Sequence, residues 1–238
     1  MRKFHQFIML FFVFSLSAQV YHKNINPFDI YPEFQKFDFD QYKTDYKNLP
    51  SDSSGRFKVL KDGTLFRSEN FNNKDIWYHV IPPKSYITLS YHFYPSGRLK
   101  EFGQFASLDS YVIKIGIWKD YDENGKILKM TDEDIKFKKF SFADALNFME
   151  KKGYINLKTG KNRTVSSFYF DTEKEIWELY IQTYYNEEVE EKGIQYIINS
   201  QNGKLKKVLY IEKCLYPFEG LCNTINKKKK PKKNYIYN

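Results

Sequence analysis

The chain has 238 residues, with 38 Lys and Arg against 29 Asp and Glu, a formal charge of +9. The excess sits at the two ends: Arg2 and Lys3 open the chain, Lys227, Lys228, Lys229, Lys230, Lys232 and Lys233 lie near its close, and neither end carries an acid. The stretch from Gln19 to Asn226 is therefore nearly neutral, which excludes a basic nucleic-acid-binding domain as its body.

Residues 1–18 have the order of a secretory signal peptide. Arg2 and Lys3 form the positive start, Phe7 to Phe14 with Leu16 the apolar run, and Ser15, Ser17 and Ala18 the small residues before cleavage, expected after Ala18. The run is about half of the roughly 20 apolar residues needed to span a bilayer, and nothing later is longer, so no transmembrane segment is expected after signal removal. The protein is expected to be exported to the periplasm or the exterior. About 220 residues then remain, enough for one large or two small domains.

Residues 19–55 contain Pro27, Pro32 and Pro50 without a sustained period, and read as an irregular lead-in with room for one short pairing segment. Residues 56–138 read as β-hairpins. Phe57 to Leu60 and Leu65 to Arg67 flank Asp62 and Gly63, a pair favoured in two-residue hairpin turns. Tyr86 to Tyr94 alternates as a half-buried strand, with Ile87, Leu89, Tyr91 and Phe93 on one face and Thr88, Ser90 and His92 on the other. Ser96 and Gly97 turn the chain into Leu99 to Phe105, and Asn124 and Gly125 join Tyr111 to Lys119 to Ile127 to Met130.

Residues 139–226 read as a helix plus an antiparallel sheet. Ser141 and Asp144 make a capping-box start, Phe142, Ala145, Leu146 and Met149 recur at helical spacing, and Gly153 is the left-handed stop, giving one amphipathic helix over about 141–152. Strands follow at Val165 to Phe170, Ile176 to Tyr185, Ile194 to Asn199 and Lys204 to Glu212, the last two joined through Asn202 and Gly203. The predicted class is α+β, mainly an antiparallel hairpin meander. The 22 Phe, 20 Tyr and 3 Trp suit strands. An AT-rich genome would enrich the same residues, so the periodicity carries the prediction.

Phe93-Tyr94-Pro95-Ser96-Gly97-Arg98-Leu99 is echoed by Lys119-Asp120-Tyr121-Asp122-Glu123-Asn124-Gly125-Lys126-Ile127, with Gly116-Ile117-Trp118 leading into the second unit. Residues 91–130 resemble the bacterial variant of the MORN repeat, a hairpin module of exported and antitoxin-labelled proteins. The helix from Ser141, the strand Ile176 to Ile181 and the hairpin Tyr196 to Leu205 make residues 141–212 similar to a PepSY-type module, in which a helix packs on a small antiparallel sheet. These resemblances imply binding or inhibition and supply no catalytic residue.

No catalytic, cofactor or metal motif stands out, and no cofactor is expected. Asp120, Asp122, Asn124 and Gly125 spell the start of an EF-hand loop, but Thr131 stands where its bidentate Glu belongs, so a hairpin turn is the reading. Asp132, Glu133 and Asp134 read as a solvated loop, and His92 as exposed on the polar face of its strand. Cys214 and Cys222 frame a Pro/Gly turn, and in an exported chain are expected to pair as a disulfide. Residues 227–238 read as a disordered Lys-rich tail able to touch an anionic surface weakly. The expected function is that of a non-catalytic β-rich cell-envelope protein with a protein partner and no specific nucleic acid. The alternatives are a secreted hydrolase with an unrecognised site near His79 or His92, and an inhibitor or immunity-type module.

Overall fold

The computed structural model describes residues 21–30, 37–38, 51–52, 55–69, 76–106, 113–186 and 190–214. After a short helix, α1 (Pro27–Ile30), come β1 (Ser51–Asp52), β2 (Gly55–Val59), β3 (Leu65–Glu69), β4 (Ile76–Ile81), β5 (Thr88–Phe93), β6 (Leu99–Phe105), β7 (Lys114–Tyr121) and β8 (Ile127–Asp132). These form an eight-stranded sheet whose spatial order is the chain order, every pair antiparallel. A 3-10 turn, Glu133–Phe137, leads to α2 (Phe142–Lys151), and then β9 (Ser166–Asp171), β10 (Ile176–Asn186), β11 (Glu190–Asn199) and β12 (Leu205–Cys214) make a second antiparallel sheet. The class is α+β with predominantly antiparallel strands.

Three hairpin loops share one hydrogen-bond pattern. Leu60 N–H donates to Thr64 O (2.9 Å) while Gly63 N–H donates to Leu60 O (3.0 Å), and Tyr94–Arg98 with Gly97 and Asp122–Lys126 with Gly125 repeat it. Each is a three-residue loop ending on a left-handed glycine, at φ +87°, +82° and +83°. The expected two-residue turn at Asp62-Gly63 is therefore corrected: Asp62 accepts from Thr64 N–H (2.9 Å), which closes an Asx turn, and only the glycine takes positive φ. Asn202-Gly203 ends a four-residue loop, with Gly203 N–H donating to Asn199 O (2.8 Å). Asp122 Oδ1 accepts from Asn124 and Lys126 N–H, both 2.9 Å, so the EF-hand-like acid serves its own turn.

The sequence reading passed over β4. Its residues Ile-Trp-Tyr-His-Val-Ile do not alternate because both of its faces are covered, and five of the six are buried. β5 is likewise buried along its whole length, not half-buried as alternation suggested. One face of the sheet carries Tyr78, Val80, Leu89, Tyr91, Phe93 and Phe102, which join α2 residues Phe142, Ala145, Leu146 and Met149 and the inward residues of the second sheet, Trp177, Leu179, Ile181, Tyr196 and Ile198, in one contiguous core.

The lead-in contributes to this face instead of trailing from it. Gln104 Nε2 donates to His22 O (2.9 Å), Ile117 N–H to Lys23 O (2.8 Å), Lys119 Nζ to Ile25 O (2.7 Å) and Tyr91 OH to Pro27 O (3.2 Å). The acidic loop is the clamp. Tyr21 OH donates to Asp134, whose other oxygen accepts from Gly116 N–H (2.8 Å), and Lys23 pairs with Asp132 at 2.7 Å. The expectation of a merely solvated Asp132-Glu133-Asp134 loop is thus corrected, because a left-handed bulge at Gly116 (φ +67°) frees a backbone donor that the loop satisfies.

Candidate functional site: a histidine-tryptophan face and an open strand edge

The second face of the large sheet holds the histidines. Cross-strand register sets Trp77 opposite His92, His79 opposite Ser90 and His92 opposite Glu101. The Trp77 and His92 rings stack at 4.1 Å and 11°, His79 lies parallel to Trp77 at 6.3 Å, and Phe105 meets His79 edge-on. Trp118 packs on Phe105 and lies over Gly103, where a Cβ would stand 2.0 Å from the indole, so only glycine fits. Lys114 Nζ sits 3.7 Å over the Trp118 ring and 2.7 Å from Glu101.

His79 and His92 are 2% and 6% exposed, which corrects the expectation that His92 faces solvent. The reason is β5's central position: a residue on either face of an inner strand is flanked by the side chains of β4 and β6. Burial would raise the Glu101 carboxyl, but His92 and Lys114 beside it hold it below the ordinary carboxylate range. His92 Nδ1 is 3.9 Å from Glu101, an ion-pair separation and longer than a hydrogen bond. Ser90 Oγ is fully buried with no hydrogen-bond partner among the described residues. The fold thus gathers Ser90, both histidines and Glu101 on one face, with the Glu101 charge engaged by Lys114.

The other feature is β8, the last strand of the sheet, which among the described residues pairs with β7 alone. Its residues Ile127, Leu128 and Met130 are 45%, 63% and 51% exposed, and Ile135 just beyond is 71% exposed. Tyr169 is the one aromatic among the exposed large apolar residues described. Lys129 on this strand and Lys126, which closes the loop just before it, are exposed and have no ion pair among the described residues.

The predicted turn residues Asp62, Gly63, Ser96, Gly97, Asn124, Gly125, Asn202 and Gly203 all lie in hairpin loops, away from the histidine face. Gly97 also braces the lead-in: Phe37 N–H donates to its carbonyl (2.7 Å), and a Cβ there would stand 2.2 Å from Phe37 O. Cys214 ends β12, whereas Cys222, the signal segment 1–18 and the lysines from Lys227 to Lys233 lie outside the described residues. No helix among the described residues is long and apolar enough to cross a membrane, and no three His, Cys, Asp or Glu side chains among them converge as a metal site. Comparison of the chain with protein-family models, curated proteins and solved structures finds no match.

Proposed function

We propose that this is an exported, non-catalytic cell-envelope protein that works by binding another protein. The observation that carries the reading is the cluster of exposed aliphatic side chains, Ile127, Leu128 and Met130 on the last strand and Ile135 just beyond it, where the other large apolar residues described are mostly buried. The signal-like start supports export, and the MORN-like and PepSY-like resemblances support a binding role that includes inhibition or immunity. In the exported protein Cys214 and Cys222 pair, so that alkylation of the oxidised native chain labels neither. The Lys-rich tail adds weak contact with an anionic surface. Immobilised mature protein is expected to retain a specific partner from envelope extract at near-physiological salt. Recovery of none, with correctly folded bait, would sink the reading.

A second reading, a hydrolase, draws on the juxtaposition of Ser90 with His79 across the β4–β5 pair. Activity profiling against esters, peptides and glycans discriminates: identical traces for the native protein and a His79→Ala/His92→Ala variant remove it.

A further inference from the structure

We infer that β8 takes up an extended segment of another protein by strand addition, and that the segment carries an acidic residue opposite Lys129 between two apolar ones. This rests on the binding reading above and names the edge and the chemistry of the partner.

The edge itself supplies the backbone half of the argument. Among the described residues β8 pairs only with β7, so no described strand takes up its outer N–H and C=O groups, which a further strand could use. Leu128 and Met130, spaced by two residues, are both more than half exposed, as is Ile135. Edge strands are ordinarily blunted by charge, and here Lys129, with Lys126 just before the strand, supplies it.

Those lysines decide between occupants. In an antiparallel pairing of β8 with a second copy, residues directly opposite must share a face, so only registers shifted by two are allowed. The register that sets Leu128 against Met130 of the copy also sets Lys129 against Lys129 of the copy. A shift one way puts Ile127 opposite Lys129. A shift the other way puts Leu128 opposite Asp132. The register that sets Leu128 against Met130 therefore opposes like charges, and each neighbouring one sets a charge against an aliphatic side chain. A foreign strand reading apolar-acid-apolar meets neither penalty. It pairs Lys129 with a carboxylate while covering Leu128 and Met130.

The test uses the full mature chain and a fluorescein-labelled peptide, Thr-Thr-Val-Glu-Val-Thr-Thr, with a second in which Lys replaces Glu. Fluorescence polarisation is expected to show the Glu peptide binding about five- to tenfold more tightly, from the change of one cross-strand pair from like to opposite charge. Lys129→Glu should invert that preference, Lys129→Thr should erase it, and N-methylation of alternate peptide nitrogens should abolish binding. Equal affinities, a preference unchanged by Lys129→Glu, or no binding at all would overturn the inference. So would a dimer of the unmodified protein in light scattering that Leu128→Ser dissolves, which would assign the edge to a second copy. A partner captured from envelope extract equally well by native and Lys129→Glu protein would defeat the edge assignment while leaving the binding reading intact.

Discussion

Tyr86 shows how much one side chain does between the two halves of the chain. It is 5% exposed, its hydroxyl donates to Lys161 O, and it accepts from Asn156 N–H at 3.3 Å, so it ties the β4–β5 connection to the loop before β9. Arg163 donates to Pro82 O (3.0 Å) in the same seam, and Gly160 presses its backbone against Lys84. Burial pushes the Tyr86 phenol up to about 12. An acid whose folded pKa is raised stabilises the fold fully below its unfolded value, about 10, and that stability is lost as pH rises toward 12. Tyr121 is raised to about 12 by the same burial and adds to the alkaline loss. Tyr86→Phe is expected to cost about 1 kcal/mol at neutral pH, because a partly buried carbonyl and N–H lose their partner, and to flatten the loss above pH 10. Urea denaturation at pH 7 and at several values above 10 measures both, and an unchanged alkaline limb would count against the assignment.

At the scale of elements, α2 is the one whose boundaries follow from local chemistry. Ser141 Oγ accepts from Asp144 N–H (3.2 Å) while Asp144 accepts from Ser141 N–H (2.9 Å), and Gly153 leaves the helix at φ +79°. Its apolar face then meets Phe168 and Trp177 through Phe142, and Tyr196 through Phe148. Ser141→Ala is expected to destabilise the protein by about 1 kcal/mol without changing its fold. A lowered urea midpoint with an unaltered far-UV spectrum is the outcome to look for. The hairpins follow similar local logic, since a glycine that alone can take positive φ fixes where each loop ends. β4 has no such signal: a fully covered strand followed by Pro82 and Pro83 is indistinguishable in sequence from a loop with apolar residues.

At the scale of the whole molecule, one contiguous core runs through both sheets, and they are expected to unfold as one cooperative unit. Trp77 and Trp118 report on the large sheet and Trp177 on the small one, where its indole N–H donates to Phe140 O at 2.8 Å. Variants retaining only Trp118 or only Trp177, with Phe at the other tryptophan positions, are expected to melt in coincident transitions. Two separated transitions would show that the sheets unfold independently.

The sequence by itself determined the class, the helix with its caps and the places of the four glycine turns, because these depend on residues within a few positions of one another. It could not show that β5 is buried on both faces, that Ser90 shares a face with His79 and His92, or that Tyr21 and Lys23 are held by Asp134 and Asp132. Those are contacts between strands or between segments far apart in the chain, and β4, on which the first two rest, has no periodicity to announce it. The exposed edge at β8 is the same kind of fact. Ile127, Leu128 and Met130 read as an ordinary strand, and only the order of strands in the sheet decides that no described strand lies beyond it.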